Sequence, residues 1–119
     1  MIKNIEKQFE EAREQLIIVE GKKDKEALEI LGFKHIFVIN ETGKSLYEKI
    51  EEVEEKVGKR KICILTDFDK KGKKLYLIIK SELRKRKVKM DNSLRDSLLR
   101  LNISHIEGLA SLMSNKKLE

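Results

Sequence analysis

Three short apolar runs, each followed by a polar turn and a stretch of helical periodicity, constrain the fold of this chain most strongly. The runs occupy residues 16–19, 35–40 and 61–66. Strands that alternate with helices in this way predict an α/β fold, in which crossover connections make the sheet parallel and helices cover both faces. A fourth strand is expected at 86–90 or at 101–106, which gives a sheet of about four strands.

Between and beyond these runs, apolar residues recur at helical spacing. The first helix is predicted from Ile2 to about Gln15, and Asp24 is expected to cap the second. Thr42 is the expected cap of a third helix, which Gly58 ends. The third helix is expected to bury one face, a fourth helix follows Gly72, and a fifth lies near the carboxyl end. The apolar positions are Leu46, Ile50, Val53 and Val57 in the third helix, Leu75, Ile79 and Leu83 in the fourth, and Leu94, Leu98 and Leu101 in the fifth.

The third apolar run ends in a carboxylate pair, Asp67 and Asp69, three residues before Gly72. Both should project from the carboxyl end of the strand, where open α/β sheets bind their ligands. Two uncompensated carboxylates about 4 Å apart repel by roughly 4 kcal/mol at an effective dielectric near 20, so the pair needs a proton, a basic neighbour or a cation. Oxygen ligands favour a hard cation such as Mg²⁺. An acidic turn that only caps the next helix is the alternative.

Glu20 ends the first apolar run in the same manner and is followed by Gly21 and Lys22. If the first and third strands lie parallel in one sheet, Glu20 arrives at the same edge as Asp67 and Asp69, although 47 residues (67 minus 20) separate Glu20 from Asp67. The sequence therefore predicts a three-acid site at one edge of the sheet.

A glutamate at one strand end and a D-x-D-x-x-G turn at a later strand end resemble the Toprim domain. Topoisomerases, DnaG-type primases, OLD-family nucleases and recombination-repair proteins share this catalytic fold. The resemblance extends over residues 16 to about 83, and the Val19 to Asp24 segment is most similar to the bacterial ribonuclease that matures small ribosomal RNA. The chain also resembles the short stand-alone Toprim proteins of archaea and bacteria, whose ending is similar to 106–109 here; chemistry assigns that ending no role.

The resemblance implies a single Toprim-like domain over 1–119, with core motifs at about 16–83 and a helical part at about 92–119. Asp67 and Asp69 would hold Mg²⁺, with Mn²⁺ as a substitute, and Glu20 would act as general acid or base or share in metal binding. The implied activity is magnesium-dependent, nuclease-like cleavage of phosphodiesters in RNA or DNA, which would make the protein a hydrolase.

A second hypothesis is a non-catalytic nucleic-acid-binding or adaptor module within a larger DNA- or RNA-processing complex, with protein partners. It is motivated by the lack of an accompanying helicase, zinc-ribbon or recognition domain. Aromatic residues make up only 5% of the chain, which leaves little for base stacking.

Basic residues are concentrated directly after the carboxylate pair. Residues 70–89 hold ten lysines and arginines against one acid, for a local net charge of +9 within a total of +6. Such a block would hold a phosphate backbone beside the metal, whereas the alternative is a solvated lysine face. Small residues at strand ends allow close approach of backbone or phosphate. The candidate phosphate-contacting residues are Gly21, Lys22, Gly43, Lys44, Gly72, Lys73 and Lys74.

The single cysteine and the distribution of apolar residues bear on where in the cell the protein is expected. Cys63 lies within an apolar run and is expected to pack in the core. No apolar run is long enough to span a membrane, and the amino terminus lacks the apolar core of a signal peptide, so a cytoplasmic location is expected.

Four other kinds of site match the sequence less well than the Toprim pattern does. An EF-hand would need ligands where Lys71 and Ile78 stand, and a P-loop would need glycine at Val38. A phospho-acceptor receiver would need a second acid beside Glu20. His35 and His105 show no ligand spacing, which argues against zinc.

Overall fold

The protein alternates between helices and short strands. The computed structural model describes residues 2–40, 43–103, 105, 106, 108 and 109. In chain order the elements are α1 Ile2–Ala12, β1 Leu16–Val19, α2 Lys22–Ile30, β2 Ile36–Val38, α3 Leu46–Val57, β3 Ile62–Ile64, α4 Lys70–Lys85 and α5 Ser93–Arg100.

In the described part of the chain, the strands form one parallel sheet in the order β2-β1-β3. β1 is central, and Ile17 pairs with Ile36 of β2 on one side and with Cys63 of β3 on the other. Because the strands are parallel, their carboxyl ends meet at one edge. The predicted α/β fold with a parallel sheet is therefore confirmed.

The predicted fourth strand is not found in the part of the chain that is described. Met90 forms a single parallel bridge with Ile62, and the described residues of the other candidate, 101–106, form no strand. Lys87 adopts a left-handed backbone conformation with φ of +60°, so only a few residues remain extended before α5 begins. Among the described residues the sheet therefore has three strands.

Side chains alternate along β1 and divide the core into two layers. Ile17 and Val19 pack with residues of α1, α2 and α5, whereas Leu16 and Ile18 pack with residues of α3 and α4. Burying each of these aliphatic side chains stabilises the fold by roughly 1.5–3 kcal/mol relative to exposure. Helices therefore cover both faces of the sheet, as the alternating sequence predicted.

The cap of α3 differs from the sequence-based prediction. Ser45 is the N-cap, and its hydroxyl accepts a hydrogen bond from the N–H of Glu48, while the Glu48 carboxylate accepts from the N–H of Ser45. This reciprocal capping box satisfies two otherwise unpaired backbone donors. Thr42, the cap expected from the sequence, lies outside the described residues. Gly58, with φ of +58°, ends the helix as predicted.

The helices are short and strongly charged. α4 spans 16 residues and carries lysines along most of its length. Within the ranges that the structure describes, no helix is both long and apolar enough to cross a bilayer.

Candidate metal centre

Glu20 and Asp67 meet at the carboxyl edge of the sheet. The pairing of Ile18 with Ile64 aligns the ends of β1 and β3, so the residues that follow each strand lie side by side. The N–H of Asp67 donates a hydrogen bond to Oε2 of Glu20 at 2.7 Å. The Glu20 side chain is only 8% exposed, so this bond joins the two strand ends within the protein rather than on its surface.

Asp69 is the residue that caps the amino end of α4. Its Oδ1 accepts the N–H of Gly72 at 2.7 Å, and this is the N-cap of the helix. The positive end of the helix dipole also stabilises the carboxylate there. On the inner side of the turn, the Thr66 hydroxyl donates to the carbonyl oxygen of Gly72 at 2.8 Å. The turn from β3 into α4 is therefore fixed at both of its ends.

Gly72 is required by the close approach of α4 to the turn. A Cβ atom at this position would lie 2.1 Å from the carbonyl oxygen of Asp67 and 2.5 Å from its carbonyl carbon. These are backbone atoms and cannot move aside as a flexible side chain can. Only glycine permits this packing, which gives a steric reason for the glycine of the D-x-D-x-x-G pattern.

Asp67 is also held by a distant part of the chain. Its Oδ1 accepts the N–H of Ile106 at 2.9 Å. The side chains of Ile106 and Leu109 are fully buried in the layer of the core that contains α1, α2 and α5. Ile106, which belongs to the ending to which the sequence assigned no role, thus contacts the acidic edge and holds one of its carboxylates in place.

Asp67, Asp69 and His105 form a group that could hold a metal ion. One ligand atom from each lies within 4.8 Å of the others, and among the described residues this is the one such group of three. Nε2 of His105 lies 3.6 Å from Oδ2 of Asp69, and the two side chains are 59% and 45% exposed. The residues fit a divalent cation, because each aspartate bonds the backbone through Oδ1 and can present its second oxygen to the ion.

Glu20 stands beside this trio rather than within it. The structure therefore brings together the three acids that the sequence singled out, with Asp67 bonded to Glu20 through its backbone and close to Asp69 through its side chain. The individual roles of the acids remain predictions. His105 is an addition: it lies 36 residues (105 minus 69) after Asp69, beyond α4 and α5, and nothing in the local sequence marks it as a neighbour of the acids.

Arg95 supports the turn that contains Asp67 and Asp69. It lies on α5, is 2% exposed, and its guanidinium donates to the carbonyl oxygens of Ile64 at 3.2 Å, Thr66 at 2.7 Å and Asp67 at 3.4 Å. Burial lowers the pKa of this guanidinium from its ordinary value. The end of β3 therefore rests on a buried cation that bonds to backbone carbonyls.

Two aromatic rings complete the surroundings of Arg95. Its guanidinium carbon lies 4.7 Å from the ring centre of Phe68 and 4.2 Å from that of Tyr76, which are cation–π distances. Phe68 is the residue between the two aspartates, so the arginine also fixes the middle of the D-x-D turn. Sequence reasoning missed Arg95; its one signal was a charged residue beside Leu94 on the apolar face of a predicted helix.

The predicted phosphate-contacting residues fall into two groups. Lys22 is the exposed first residue of α2, directly after Gly21, and Lys73 and Lys74 are exposed in the first turns of α4. These lysines lie on the two helices that begin at the acidic edge. Gly72, which directly precedes Lys73, is buried.

Gly43 and Lys44 differ from that group. Gly43 is exposed with φ of +97°, which is a turn conformation that glycine adopts without strain. Lys44 forms an ion pair with Glu52 of α3, and this pair directs the ammonium group along α3. Phosphate binding by either residue stays a prediction.

Comparison with known proteins extends these observations. The family model for the Toprim domain matches residues 14–92. Over 110 residues the chain is 37% identical to a UPF0292 protein of Methanocaldococcus jannaschii, covering 91% of this chain and 84% of that protein. It is also similar to the solved structure of a protein from Aquifex aeolicus, with a TM-score of 0.74 and 31% identity over 90% of this chain and 95% of that one. The matched family region contains Glu20, Asp67 and Asp69, whereas His105 lies beyond it.

Proposed function

Because this chain belongs to the Toprim domain family, we propose that it is a divalent-metal-dependent enzyme that cleaves phosphodiester bonds in nucleic acid. The single observation that carries the proposal is the convergence of Asp67 and Asp69 on one potential ion site, with Glu20 one hydrogen bond away. Family membership and this acidic group support a metal-binding, nucleic-acid-related function. Cleavage, and the use of Mg²⁺ in it, are the parts that we propose.

In the proposal, Asp67 and Asp69 hold the cation through the oxygens that do not bond the backbone. A bound divalent cation supplies Lewis-acid stabilisation of the charge that develops on the phosphate oxygens during cleavage. The chain itself orients the two carboxylates beforehand, through the Gly72 and Ile106 amides. Such preorganisation is the way in which enzymes gain most from electrostatic stabilisation.

Glu20 is proposed as the general acid or base. Its low exposure and its position beside Asp67 support this role, but the same carboxylate also accepts the Asp67 N–H and could act by positioning alone. Two variants separate these roles. Glu20→Gln keeps an oxygen that can accept the N–H but cannot exchange a proton as a carboxylate does, whereas Glu20→Ala loses both properties.

General acid or base catalysis predicts that Glu20→Gln loses cleavage by about 10²–10⁴-fold while metal affinity is retained. A positioning role predicts that Glu20→Gln keeps most of the activity and that only Glu20→Ala is strongly impaired. The measurement is single-turnover cleavage beside calorimetric titration of the metal for each variant.

The basic surface of α4 supports nucleic acid as the substrate. Lys70, Lys71, Lys73 and Lys74 are exposed in the first turns of the helix that Asp69 begins. A phosphate backbone that passes over the carboxylates would meet these ammonium groups on leaving the site, and such contacts give affinity that does not depend on sequence.

A second candidate function, a binding or adaptor module, is favoured by apolar exposure on the same helix. Leu77 is 61% exposed and Ile78 is 39% exposed, between the lysines of the first turns and the basic residues near the end of α4. A helix face that combines apolar and basic side chains can contact a protein as well as a nucleic acid.

Cleavage of end-labelled single-stranded, duplex and hairpin RNA and DNA with Mg²⁺ or Mn²⁺ tests the proposal. We expect wild-type protein to cut at least one substrate only when metal is present, and Asp67→Asn to lose cleavage by on the order of 10²-fold or more. The matched control is Glu55→Gln, which removes an exposed carboxylate near the end of α3, close to the amino end of β3 rather than to the acidic edge. Metal-dependent binding without cleavage would favour the adaptor function.

A further inference from the structure

His105 is the residue of the metal group that the acidic pattern does not contain. It reaches the site from the segment that follows α5, and its neighbour Ile106 is fixed there by the bond to Asp67 and by complete burial of its side chain. The imidazole is therefore brought to the carboxylates by an anchored backbone.

The distance between His105 and Asp69 suits two ligands of one ion better than a direct bond. At 3.6 Å, Nε2 of His105 and Oδ2 of Asp69 are farther apart than an N–H···O hydrogen bond allows. The ligand atoms of His105, Asp67 and Asp69 nevertheless all lie within 4.8 Å of one another. An ion between them would meet two oxygens and one nitrogen.

Two carboxylate oxygens and one imidazole nitrogen favour some cations over others. Mg²⁺ prefers oxygen ligands, whereas an imidazole nitrogen suits first-row transition ions, whose affinity for mixed nitrogen and oxygen sites exceeds that of hard cations. Mn²⁺ is the first-row transition ion that carboxylates suit as they suit Mg²⁺, and like Mg²⁺ it serves in metal-ion catalysis.

We propose that His105 is a protein ligand of the metal and that the site therefore selects Mn²⁺ over Mg²⁺. This inference rests on the proposed function, since it concerns the same site, and it deepens that function by naming the class of ion. In this arrangement the three side chains leave the remaining coordination positions of the ion to water and to phosphate oxygens.

The test is spectroscopic and does not depend on activity. Protein loaded with Mn²⁺ is measured by electron spin echo envelope modulation, in which a coordinated imidazole gives ¹⁴N modulation. We expect this modulation in wild type and in His35→Asn, and its loss in His105→Asn. His35 is the matched control, because it is the other histidine of the chain and precedes β2, at the edge of the sheet opposite to the acids.

Calorimetric titration of the same proteins with Mn²⁺ and with Mg²⁺ gives the selectivity. We expect wild type to bind Mn²⁺ on the order of tenfold or more tightly than Mg²⁺, and His105→Asn to lose most of that preference through weaker Mn²⁺ binding. His105 is exposed, so circular dichroism should show that its variant folds as wild type does.

The outcomes separate this inference from the proposed function. Binding of both ions by wild type without ¹⁴N modulation, or an unchanged ion preference in His105→Asn, would overturn the role of His105 and leave the acidic site intact. Binding of neither ion would overturn both proposals. Modulation that is lost only in His105→Asn establishes the nitrogen ligand even if no cleavage substrate is found.

Discussion

At Gly72 the backbone of α4 lies so close to the carbonyl group of Asp67 that no residue with a Cβ atom fits. Replacing it with alanine should place a methyl group against the Asp67 carbonyl, so the turn and α4 must separate. We expect Gly72→Ala to lower the free energy of unfolding by about 1–3 kcal/mol, measured by urea denaturation. The control is Gly21→Ala, where the added Cβ would meet its nearest atom, Oδ2 of Asp24, at an ordinary 3.7 Å. Equal stability of the two variants would contradict the steric account.

Arg95 is the second residue on which the turn depends. Arg95→Met keeps an unbranched apolar side chain but removes the guanidinium that donates to the carbonyls of Ile64 and Thr66, which are buried. We expect a loss of about 2–4 kcal/mol in the free energy of unfolding, since hydrogen bonds to charged groups are strong and their buried acceptors would be left unpaired. Arg100→Met, at the exposed end of α5, is the control for a change of charge alone. Similar denaturation midpoints for both variants would show that the carbonyls find other donors.

At this scale the sequence predicts the acids and misses what holds them. Glu20, Asp67 and Asp69 follow apolar runs directly, so parallel pairing alone brings them to one edge. Arg95 and His105 reach the same place only through the docking of α5 and of the segment after it. No local pattern encodes those contacts, because they depend on which helix packs against which end of a strand.

Among the elements, α4 is the one that we propose to contact nucleic acid. Lys73→Ala combined with Lys74→Ala should reduce the slope of log affinity against log salt by about 1–2, because each phosphate contact releases roughly one counterion. The matched double variant, Lys34→Ala with Lys59→Ala, removes two exposed lysines from the loops that precede β2 and β3. Binding by filter retention over a range of salt concentrations measures both slopes. Equal slopes in the two double variants would locate the phosphate contacts elsewhere.

The start of α5 is tied to β1 by Asp91. Its Oδ1 accepts the N–H of Ser93 at 3.0 Å, and its Oδ2 accepts from Nε2 of Gln15, the residue before β1, at 2.9 Å. The bonds from Ser93, followed by the one from Gln15, hold the pKa of this carboxyl below its ordinary value of 3.8. Since the pKa is lower in the folded state, the carboxylate stabilises the fold above that ordinary value and ceases to do so as the pH falls through the folded-state pKa.

Asp91→Asn should therefore lower the free energy of unfolding by about 1 kcal/mol at neutral pH, and the difference from wild type should shrink as the pH falls below 3.8. Urea denaturation at both pH values measures this difference. Asp96→Asn, an exposed aspartate in the first turn of α5, is the control. A difference that is independent of pH would mean that Asp91 acts through packing rather than charge.

The elements themselves were largely predictable. Apolar runs of strand length and helical spacing gave the order of strands and helices, because burial on both faces of a parallel sheet imposes that pattern. The fourth strand failed, since a single extended tripeptide beside β3 and a full strand have the same local sequence signals. The backbone turn at Lys87 decides between them, and it is closed by hydrogen bonds from the N–H groups of Lys87 and Val88 to carbonyls of α4.

Over the whole molecule, Cys63 offers a probe of cooperative unfolding. It is fully buried in β3, and burial raises the pKa of its thiol to about 12. A thiol reagent should thus label folded protein more slowly than unfolded chain by on the order of 10⁴-fold or more. The measurement is the labelling rate in buffer and in concentrated urea, and rapid labelling in buffer would reveal local opening of β3.

Asp67 accepts a hydrogen bond from the N–H of Ile106 and is also a member of the group that could hold a metal ion. Two events that share a group in this way are thermodynamically linked, and the linkage is reciprocal. A cation that holds Asp67 in its bonded orientation would strengthen the docking of Ile106 by the same free energy by which that docking would strengthen cation binding. A contact that stabilises or releases Ile106 would therefore change the affinity of the acidic edge for a metal ion, although it touches none of the metal group itself.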